Sequence, residues 1–231
     1  MMKLIDSGVE GLNIMIGGGI PEGSSVLVLG SYGAGKTTLG INFSYIGAVR
    51  GENVIYLTLE ERKESIISAS REFHKDFTPF LGKNLTILNP GVLEFVEMLK
   101  SEENFKNSLA PLNPQRIVID SISLILMAAE SDPVRRNIII NLSNVLKDTG
   151  VTSLLLAEAT VSSPYSSREG LAEFVSDGVI SLQNRYDDLL GSTTNIIRVL
   201  KMRMMNHDRR ARPYRIGPDG MEVMARSEIF Q

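Results

Sequence analysis

The segment SVLVLGSYGAGKT, residues 25–37, joins an apolar run to a helix-forming stretch. From Gly30 onward it matches the phosphate-binding pattern G-x-x-x-x-G-K-[ST] at every required position. The glycines let the backbone turn so that successive N–H groups point inward, at the start of a helix whose dipole favours anions. Lys36 would reach the β- and γ-phosphates, and Thr37 would offer its hydroxyl to Mg²⁺. The segment predicts a site for a nucleoside triphosphate, formed by Gly30, Ser31, Tyr32, Gly33, Ala34, Gly35, Lys36, Thr37 and Thr38.

The composition is that of an ordinary globular protein and excludes several kinds of site. The 231 residues include no cysteine, so disulfides, thiolate zinc sites and cysteine nucleophiles are impossible. No apolar run approaches the ~20 residues that span a bilayer, and the first residues lack an apolar signal core, so we expect a cytoplasmic protein without membrane contact. The net charge of −3 argues against a surface adapted as a whole to nucleic acid. Cations nevertheless crowd one C-terminal stretch, at Arg198, Lys201, Arg203, Arg209, Arg210, Arg212 and Arg215.

Short β-branched runs alternate with longer segments of helical period, which is typical of an α/β sheet covered on both faces. The predicted strands are Val26–Leu29, Val54–Thr58, Leu85–Leu88, Arg116–Asp120 and Thr152–Ala157, and the predicted helices are Lys36–Arg50, Lys63–Phe73, Leu93–Lys100 and Val134–Lys147. After Ser176 the pattern changes to the strands Gly178–Leu182, Asn195–Met202, Tyr214–Ile216 and Met221–Met224, the last two joined by a hairpin turn. The irregular stretch Ser101–Pro114 is interpreted as a surface loop. We expect one domain over residues 1–231, with a mostly parallel sheet flanked by helices and antiparallel strands at its C-terminal end.

Carboxylates follow three of the predicted strands. Asp120 ends a buried strand and is expected beside the phosphate loop, holding Mg²⁺ directly or through water; an aspartate in that position can also simply cap a turn. Glu60 is the candidate for activating the hydrolytic water and Glu61 for supporting it, because parallel strands bring their carboxyl ends to one edge. The pair could equally begin the next helix, where acidic residues suit the dipole. Glu158, after a further strand, is a weaker candidate for sensing the γ-phosphate.

Taken together, these motifs resemble the RecA superfamily of ring-forming ATPases and, within it, the KaiC-like branch. The resemblance covers nearly the whole chain. Its motifs, in order, are GGGIPEG (17–23), the phosphate loop, TLEE (58–61), IDS (119–121), VRR (134–136), EFVSDG (173–178), VLKMR (199–203) and HD (207–208).

The resemblance implies a RecA-like core and a hexamer in which ATP lies between subunits. Lys201 and Arg203 of one subunit would then reach the phosphates held by its neighbour, where two cations can stabilise the transferring phosphoryl group. Their alternate spacing would place both on one face of a strand, although a solvated basic strand has the same pattern. By the same analogy His207 would lie near the sugar or base of the nucleotide, whereas a lone histidine is more often simply exposed.

Two departures from the family pattern bear on function. The family usually has glycine where this chain has Met204, and glycine permits a tight turn that methionine cannot always follow, so the tip carrying His207 could be displaced. Glu173 and Phe174 stand where the self-phosphorylating domain of the clock protein has serine and threonine, which argues against an autokinase.

Three functions therefore compete. The leading one is an ATPase whose assembly or conformation switches with nucleotide state, in contact with protein partners that the sequence does not identify. The second is a RadA-paralogue role in recombination, with Ala128–Pro133 and Val161–Leu171 facing DNA in a central channel. The second loop offers hydroxyls, Tyr165 and Arg168 but lacks the cationic density of a committed strand-binding groove, so DNA is possible and not favoured. The third is a scaffold that binds ATP without hydrolysing it. The chain argues against this function because it keeps the residues expected for hydrolysis, namely Lys36, Thr37, Glu60 and Asp120.

Overall fold

The structure is a computed structural model that describes residues 2–160, 162–167, 170–187 and 192–227. The strands are β1 (Leu4–Ile5), β2 (Ile20–Pro21), β3 (Ser25–Gly30), β4 (Val54–Thr58), β5 (Leu85–Leu88), β6 (Arg116–Asp120), β7 (Thr152–Thr160), β8 (Ser163–Ser167), β9 (Gly178–Asp187), β10 (Ser192–Met202), β11 (Arg212–Gly217) and β12 (Gly220–Val223). The helices are α1 (Glu10–Met15), α2 (Lys36–Val49), α3 (Lys63–Glu72), α4 (Val92–Leu99), α5 (Glu102–Leu109), α6 (Ile122–Ala128), α7 (Asp132–Thr149) and α8 (Ala172–Val175), with a 3₁₀ turn at Thr78–Phe80. Among the described residues, no helix is long and apolar enough to cross a bilayer.

Strands β3 to β12 form one large sheet in the order β12-β11-β10-β9-β3-β7-β6-β4-β5, with β8 paired to β7, and β1 and β2 form a separate two-stranded sheet. The six strands from β9 to β5 in this order are mutually parallel, whereas β10, β11 and β12 are antiparallel to their neighbours. The predicted fold class is confirmed. The order places β3 between β7 and β9, so the loop that follows β3 opens at the carboxyl edge of the parallel sheet, where α/β proteins bind ligands.

Each face of the sheet carries its own apolar core. On β3, Val26 and Val28 pack with α1, α2 and α3, while Leu27 and Leu29 pack on the other face with α4, α5, α6 and α7. Successive side chains of a strand point to opposite faces, so a strand covered on both sides is continuously apolar. All six residues of β3 are buried, and this rigid strand positions the phosphate loop.

The prediction of a surface loop over Ser101–Pro114 is wrong, because residues 102–109 form α5. The hydroxyl of Ser101 caps this helix by accepting a hydrogen bond from the N–H of Asn104 at 3.3 Å. Phe105 and Leu109, one helical turn apart, are buried in the core. The serine followed by two glutamates and this i, i+4 apolar pair were a readable helix signal that the loop interpretation overlooked.

The second of the two loops considered for DNA contact is also more ordered than expected. Residues 163–167 form β8, which pairs antiparallel with β7. Val161, Arg168 and Glu169 of that loop lie outside the described residues. The first loop connects α6 to α7 as a short turn.

Candidate functional site

The phosphate loop connects β3 to α2. Gly35 has φ of 80°, in the left-handed region, immediately before α2 begins. A Cβ atom on Gly35 would lie 2.5 Å from Ile216 Cδ1, so glycine alone fits there. Two C-terminal residues hold the loop: the Tyr214 hydroxyl donates to the Ala34 carbonyl at 2.6 Å, and Asn184 Nδ2 donates to the Tyr32 carbonyl at 3.5 Å. The loop thus leads into a helix N-terminus, the arrangement that binds phosphate through backbone N–H groups.

Lys36, the first residue of α2, folds its side chain back over this loop. Its Nζ donates to the carbonyl of Gly30 at 3.0 Å and to that of Ser31 at 3.1 Å. Burial lowers the pKa of the Lys36 ammonium group. The nearby carboxylates of Glu60, Asp120 and Glu158 act in the opposite direction and offset part of this lowering. The ammonium group is therefore held inside the loop among three carboxylates, where it can exchange its carbonyl partners for a phosphate. Thr38, the other candidate on α2, is buried.

Thr37 and Asp120 meet at the adjacent strand end. The Thr37 hydroxyl donates to Asp120 Oδ2 at 2.9 Å, and the buried Tyr56 hydroxyl donates to the same oxygen at 2.8 Å. Burial raises the pKa of the Asp120 carboxyl group, and the two hydrogen bonds lower it in opposition. Burial also raises the pKa of Tyr56 well above its ordinary value, so its hydroxyl remains a donor at neutral pH. Asp120 is thus a desolvated carboxylate that a cation would stabilise.

The donor set suits Mg²⁺ only in part. Thr37 and Asp120 offer the hard oxygen ligands that Mg²⁺ prefers. Within the described part of the chain, however, no group of three or more histidine, aspartate or glutamate side chains could hold a metal ion on its own. Mg²⁺ is commonly bound by one or two protein oxygens together with substrate phosphates, and these residues fit that kind of site.

The two glutamates after β4 differ in their surroundings. The Ser121 hydroxyl donates a short hydrogen bond to Glu60 Oε1. Thr58 holds the backbone of Glu61, because its hydroxyl accepts from the Glu61 N–H at 3.1 Å and donates to the Glu61 carbonyl at 2.9 Å. Of the described residues, none donates a hydrogen bond to the Glu61 carboxylate. Both side chains are exposed, and of the two carboxylates only that of Glu60 is fixed by a side-chain hydrogen bond among the described residues.

Glu158 lies on β7 directly beside Gly30 of β3. Its backbone N–H is held by the Ser123 hydroxyl at 2.8 Å, and its side chain is exposed. The carboxylate stands next to the phosphate loop, in a position from which it also acts electrostatically on Lys36.

Lys201 and Arg203 lie at the opposite end of the sheet from the phosphate loop of their own chain. On β9, Gly178 lies beside both Val26 of β3 and Met202 of β10. Met202 is therefore level with Val26, and the four steps of β3 from Val26 to Gly30 span about 13 Å. The strand carries only the first of the two cations, because β10 ends at Met202 and Arg203 is the residue that follows it.

Both cations are anchored at that edge. Lys201 Nζ donates to the carbonyls of Glu173 at 3.1 Å and of Ser176 at 2.5 Å. Arg203 Nη1 lies 3.2 Å from Asp177 Oδ1, while the other carboxylate oxygen of Asp177 accepts from the N–H of Ser25 at 3.1 Å. Burial lowers the pKa of Lys201, and the nearby charge of Arg203 lowers it further. The basic tip is thus tied to the first residue of β3.

The chain after Arg203 folds back against the N-terminal segment. Met204 adopts φ of 62°, the conformation that glycine takes readily, so the turn forms despite the side chain. The N–H of Asp208 then donates to the Met15 carbonyl at 2.7 Å. His207 is half-buried, and its Nε2 atom is shielded from solvent without a hydrogen-bond partner among the described residues.

Sequence reasoning missed the supporting residues Tyr56, Ser123, Asn184 and Tyr214. It named Ser121 within the IDS motif but gave it no role. Only Tyr56 carried a usable signal, because a buried tyrosine in an apolar strand needs a partner for its hydroxyl. The others make contacts between distant segments that no local pattern marks.

Comparison with known proteins gives a consistent result. The family model described as "ATPase: KaiC" matches residues 5–228. A UPF0273 protein of Pyrococcus horikoshii is 27% identical over 251 residues, covering 100% of both chains, and one of Thermotoga maritima is 29% identical over 238 residues, covering 96% of both. The circadian clock oscillator protein KaiC of Picosynechococcus is 30% identical over 224 residues, 93% of this chain but 43% of the clock protein.

Among solved structures, a KaiC-like protein from the hyperthermophile P. horikoshii superposes with a TM-score of 0.84 at 31% identity, covering 96% of this chain and 99% of that one. Its fold is the α/β arrangement described above. The match of the family model over almost the whole chain, and the intact phosphate loop at the carboxyl edge of β3, lead to one conclusion: the chain belongs to the KaiC-like family of RecA-fold ATPases.

Proposed function

We propose that this chain hydrolyses ATP with Mg²⁺, that the complete site forms between neighbouring copies in a homo-oligomeric ring, and that nucleotide state switches the assembly. One observation carries the proposal. The phosphate loop and the basic tip of Lys201 and Arg203 lie at opposite ends of one sheet, so a single chain cannot bring them together. Head-to-tail contacts between copies can, and such contacts form a ring where the rotation between copies closes. The family resemblance implies six subunits.

On its own side of the site, the chain supplies binding and proton chemistry. The loop N–H groups and Lys36 would hold the phosphates of ATP, and Thr37 and Asp120 would hold the metal. Bound Mg²⁺ neutralises charge on the phosphate oxygens. Glu60, fixed by the Ser121 hydroxyl, is placed to orient the attacking water and accept its proton. Glu61 and Glu158 would support this role from the rim.

The neighbouring copy would supply Lys201 and Arg203, which stabilise the charge that builds on the transferred phosphoryl group. His207 would reach the sugar or base from the same edge. In the single chain, Lys201 bonds to carbonyl groups and Arg203 to Asp177, so both cations are already ordered before any phosphate arrives. Ordered donors act without further loss of side-chain entropy.

The switch has a physical basis in β3. Its carboxyl end leads into the phosphate loop, and its first residue, Ser25, binds Asp177, which in turn holds Arg203. A buried strand is rigid, so movement at the loop of one copy is transmitted to the tip that it presents to the next copy. Both alternatives from the sequence are less well supported. A scaffold without hydrolysis has no use for Glu60 held by Ser121 next to Asp120 in the chain, and the loops at 128–133 and 161–171 carry a single cation, Arg168, for DNA.

Mixing of inactive variants tests the shared site. Lys36→Ala subunits and Lys201→Ala subunits, each inactive alone, should regain activity when combined. In an equal mixture, roughly a quarter of the head-to-tail interfaces receive an intact Lys36 from one subunit and an intact Lys201 from its neighbour. Steady-state phosphate release at several mixing ratios measures this. The matched control mixes Lys36→Ala with Glu60→Gln, which lie on the same side of the interface and should give no rescue. Absence of rescue in the first mixture, with subunit exchange verified by mass, would overturn the shared site.

A further inference from the structure

The Asp120 carboxylate uses its two oxygens differently. The hydroxyls of Thr37 and Tyr56 both donate to Oδ2, at 2.9 Å and 2.8 Å. In the described part of the chain, no side-chain donor is bonded to Oδ1. A carboxylate oxygen that accepts two hydrogen bonds has little capacity left for a further ligand, so Oδ1 is the oxygen that a cation or a metal-bound water can use.

Tyr56 reaches this carboxylate from the neighbouring strand. Strands β4 and β6 pair in parallel, with Tyr56 beside Val118 and Thr58 beside Asp120. Residues two apart share one face of a strand, so Val118 and Asp120 lie on the same face of β6. The Tyr56 side chain is fully buried and extends from the level of Val118 to the carboxylate at the strand end. Its hydroxyl therefore acts on Asp120 from inside the core, where a hydrogen bond is electrostatically stronger than in water.

Helix α2 leaves a slot for the Tyr56 ring. Its residue Gly40 faces the ring, and a Cβ atom there would lie 3.2 Å from the Tyr56 hydroxyl oxygen, 3.3 Å from Tyr56 Cε2 and 3.1 Å from Val118 Cγ1. The Phe77 ring packs against the tyrosine with a centroid distance of 6.3 Å. Since close-packed interiors resist displacement, the hydroxyl is held on Asp120 by the packing of its ring.

The identity of the acceptor points beyond a packing role. Phenylalanine would fill the same slot without bringing a hydroxyl into the core, where a polar group costs free energy unless it is hydrogen-bonded. Here the partner is a carboxylate, and hydrogen bonds to ionised groups are the strong ones. Because Thr37 and Tyr56 both hold Oδ2, the Asp120 carboxylate cannot exchange its two oxygens by rotation without breaking both bonds.

We propose that Tyr56 is a positioning residue for the metal site: its hydroxyl fixes the Asp120 carboxylate with Oδ1 available to the Mg²⁺ that accompanies the nucleotide. The inference rests on the proposed function, in which Asp120 holds the metal, and adds to it a residue outside the phosphate loop and the carboxylates at the strand ends. Partners that hydrogen-bond to a metal ligand typically change metal affinity by about 10–100-fold.

The test compares the affinity of the intact protein for the fluorescent nucleotide mant-ADP in EDTA and in Mg²⁺. The ratio of the two dissociation constants is the affinity gained from the metal. Tyr56→Phe keeps the ring and removes the hydroxyl, so it should bind mant-ADP in EDTA like wild type and lose about tenfold of the gain. The Mg²⁺ concentration that half-saturates phosphate release should rise by a similar factor, with kcat at saturating Mg²⁺ little changed.

The matched control is Tyr45→Phe, which removes a hydroxyl from α2 about two turns beyond Thr37. Tyr45 packs edge-on against Phe80, and the variant should keep both the affinity in EDTA and the gain from Mg²⁺. Gly40→Ala serves if thermal melting shows that Tyr56→Phe fails to fold, because it presses on the hydroxyl without deleting it and should reduce the gain by a smaller factor.

Asp120→Asn separates the inference from the proposed function. Loss of the gain in Asp120→Asn together with a full gain in Tyr56→Phe would overturn the role of Tyr56 alone. Equal weakening of Tyr56→Phe in EDTA and in Mg²⁺ would do the same, since it would show a role only in packing. No gain in wild type, or a full gain in Asp120→Asn, would overturn the assignment of the metal to Asp120 and the inference with it.

Discussion

Met204 holds the turn after the basic tip in a conformation with φ of 62°. For a residue with a Cβ atom, the left-handed region costs about 1–2 kcal/mol. The side chain is 72% exposed, so little packing offsets that cost. The sequence raised the question whether methionine would displace this turn, and the structure shows the turn intact with the residue in the glycine conformation.

Replacing Met204 with glycine should therefore stabilise the protein. After allowing for the greater freedom of glycine in the unfolded chain, we expect the free energy of unfolding to rise by about 1 kcal/mol. Urea unfolding without nucleotide measures the change. Met127→Gly is the control: Met127 is 53% exposed within α6, and glycine there should cost about 1 kcal/mol. A Met204→Gly protein no more stable than wild type would show that the turn is not strained.

The sequence predicted some of the site residues and not others. Lys36, Thr37 and Asp120 were candidates because a short motif with a known mechanism contains them, and the structure brings Thr37 and Asp120 to 2.9 Å. Tyr56, which acts on Asp120, belongs to no such motif. Ser121, which acts on Glu60, stands in the IDS motif, but no role was predicted for the serine. Their roles arise from the pairing of β4 with β6, two strands far apart in the chain.

At the scale of elements, α2 approaches the sheet unusually closely. Gly40 and Gly47, two turns apart, present no side chain toward β4 and β6. A Cβ atom on Gly47 would lie 2.6 Å from Arg116 Cδ and Nε. Arg116 is fully buried, binds Glu52, and donates to the carbonyls of Asp6 at 2.6 Å and Phe43 at 3.1 Å, so it has little room to move.

Gly47→Ala should destabilise the protein by about 2 kcal/mol, even though alanine favours a helix by about 1 kcal/mol, because displacing a buried, bonded arginine costs more. The free energy of unfolding in urea measures this. The control Gly91→Ala adds the same methyl group where the nearest atom lies at 3.9 Å and should change stability by less than about 0.5 kcal/mol. If the two variants were equally stable, Arg116 would have to shift without cost.

The elements themselves were predicted unevenly. The strands Val54–Thr58, Leu85–Leu88 and Arg116–Asp120 have the predicted limits, because continuous apolar runs bounded by polar residues leave little choice. Helix α5 was missed because its polar residues outweighed its few apolar ones in a stretch that also holds two prolines. Strand β10 ends at Met202 as predicted but begins at Ser192, three residues before the predicted start. Its bulge before Lys201 is set by pairing with β9 and leaves no mark on the strand itself.

At the scale of the molecule, the proposed mechanism makes assembly and hydrolysis separable. Glu60→Gln should still bind ATP and assemble, since the loop, Thr37 and Asp120 are unchanged, while phosphate release falls by about 10²–10⁴-fold without the general base. Light scattering and phosphate release, measured together with and without ATP and Mg²⁺, check both outcomes.

Glu61→Gln is the matched control and should lose far less activity, because among the described residues Ser121 fixes the carboxylate of Glu60 and none fixes that of Glu61. Unchanged turnover in Glu60→Gln would remove that residue from its assigned role. Loss of assembly in the same variant would show that Glu60 acts in the interface and not on water.

The amino-acid sequence by itself determined the phosphate loop, the buried parallel strands and the acidic residues at their ends, because these depend on local backbone geometry and on the periodicity of apolar side chains. Only the tertiary structure decided what lies beside them. Long-range pairing sets β9 next to β3 and turns β10 back, which carries Lys201 and Arg203 away from their own phosphate loop. It also sets β4 next to β6, which brings the Tyr56 hydroxyl to Asp120. Strand order and register arise from contacts between residues far apart in the chain, and no local pattern encodes them.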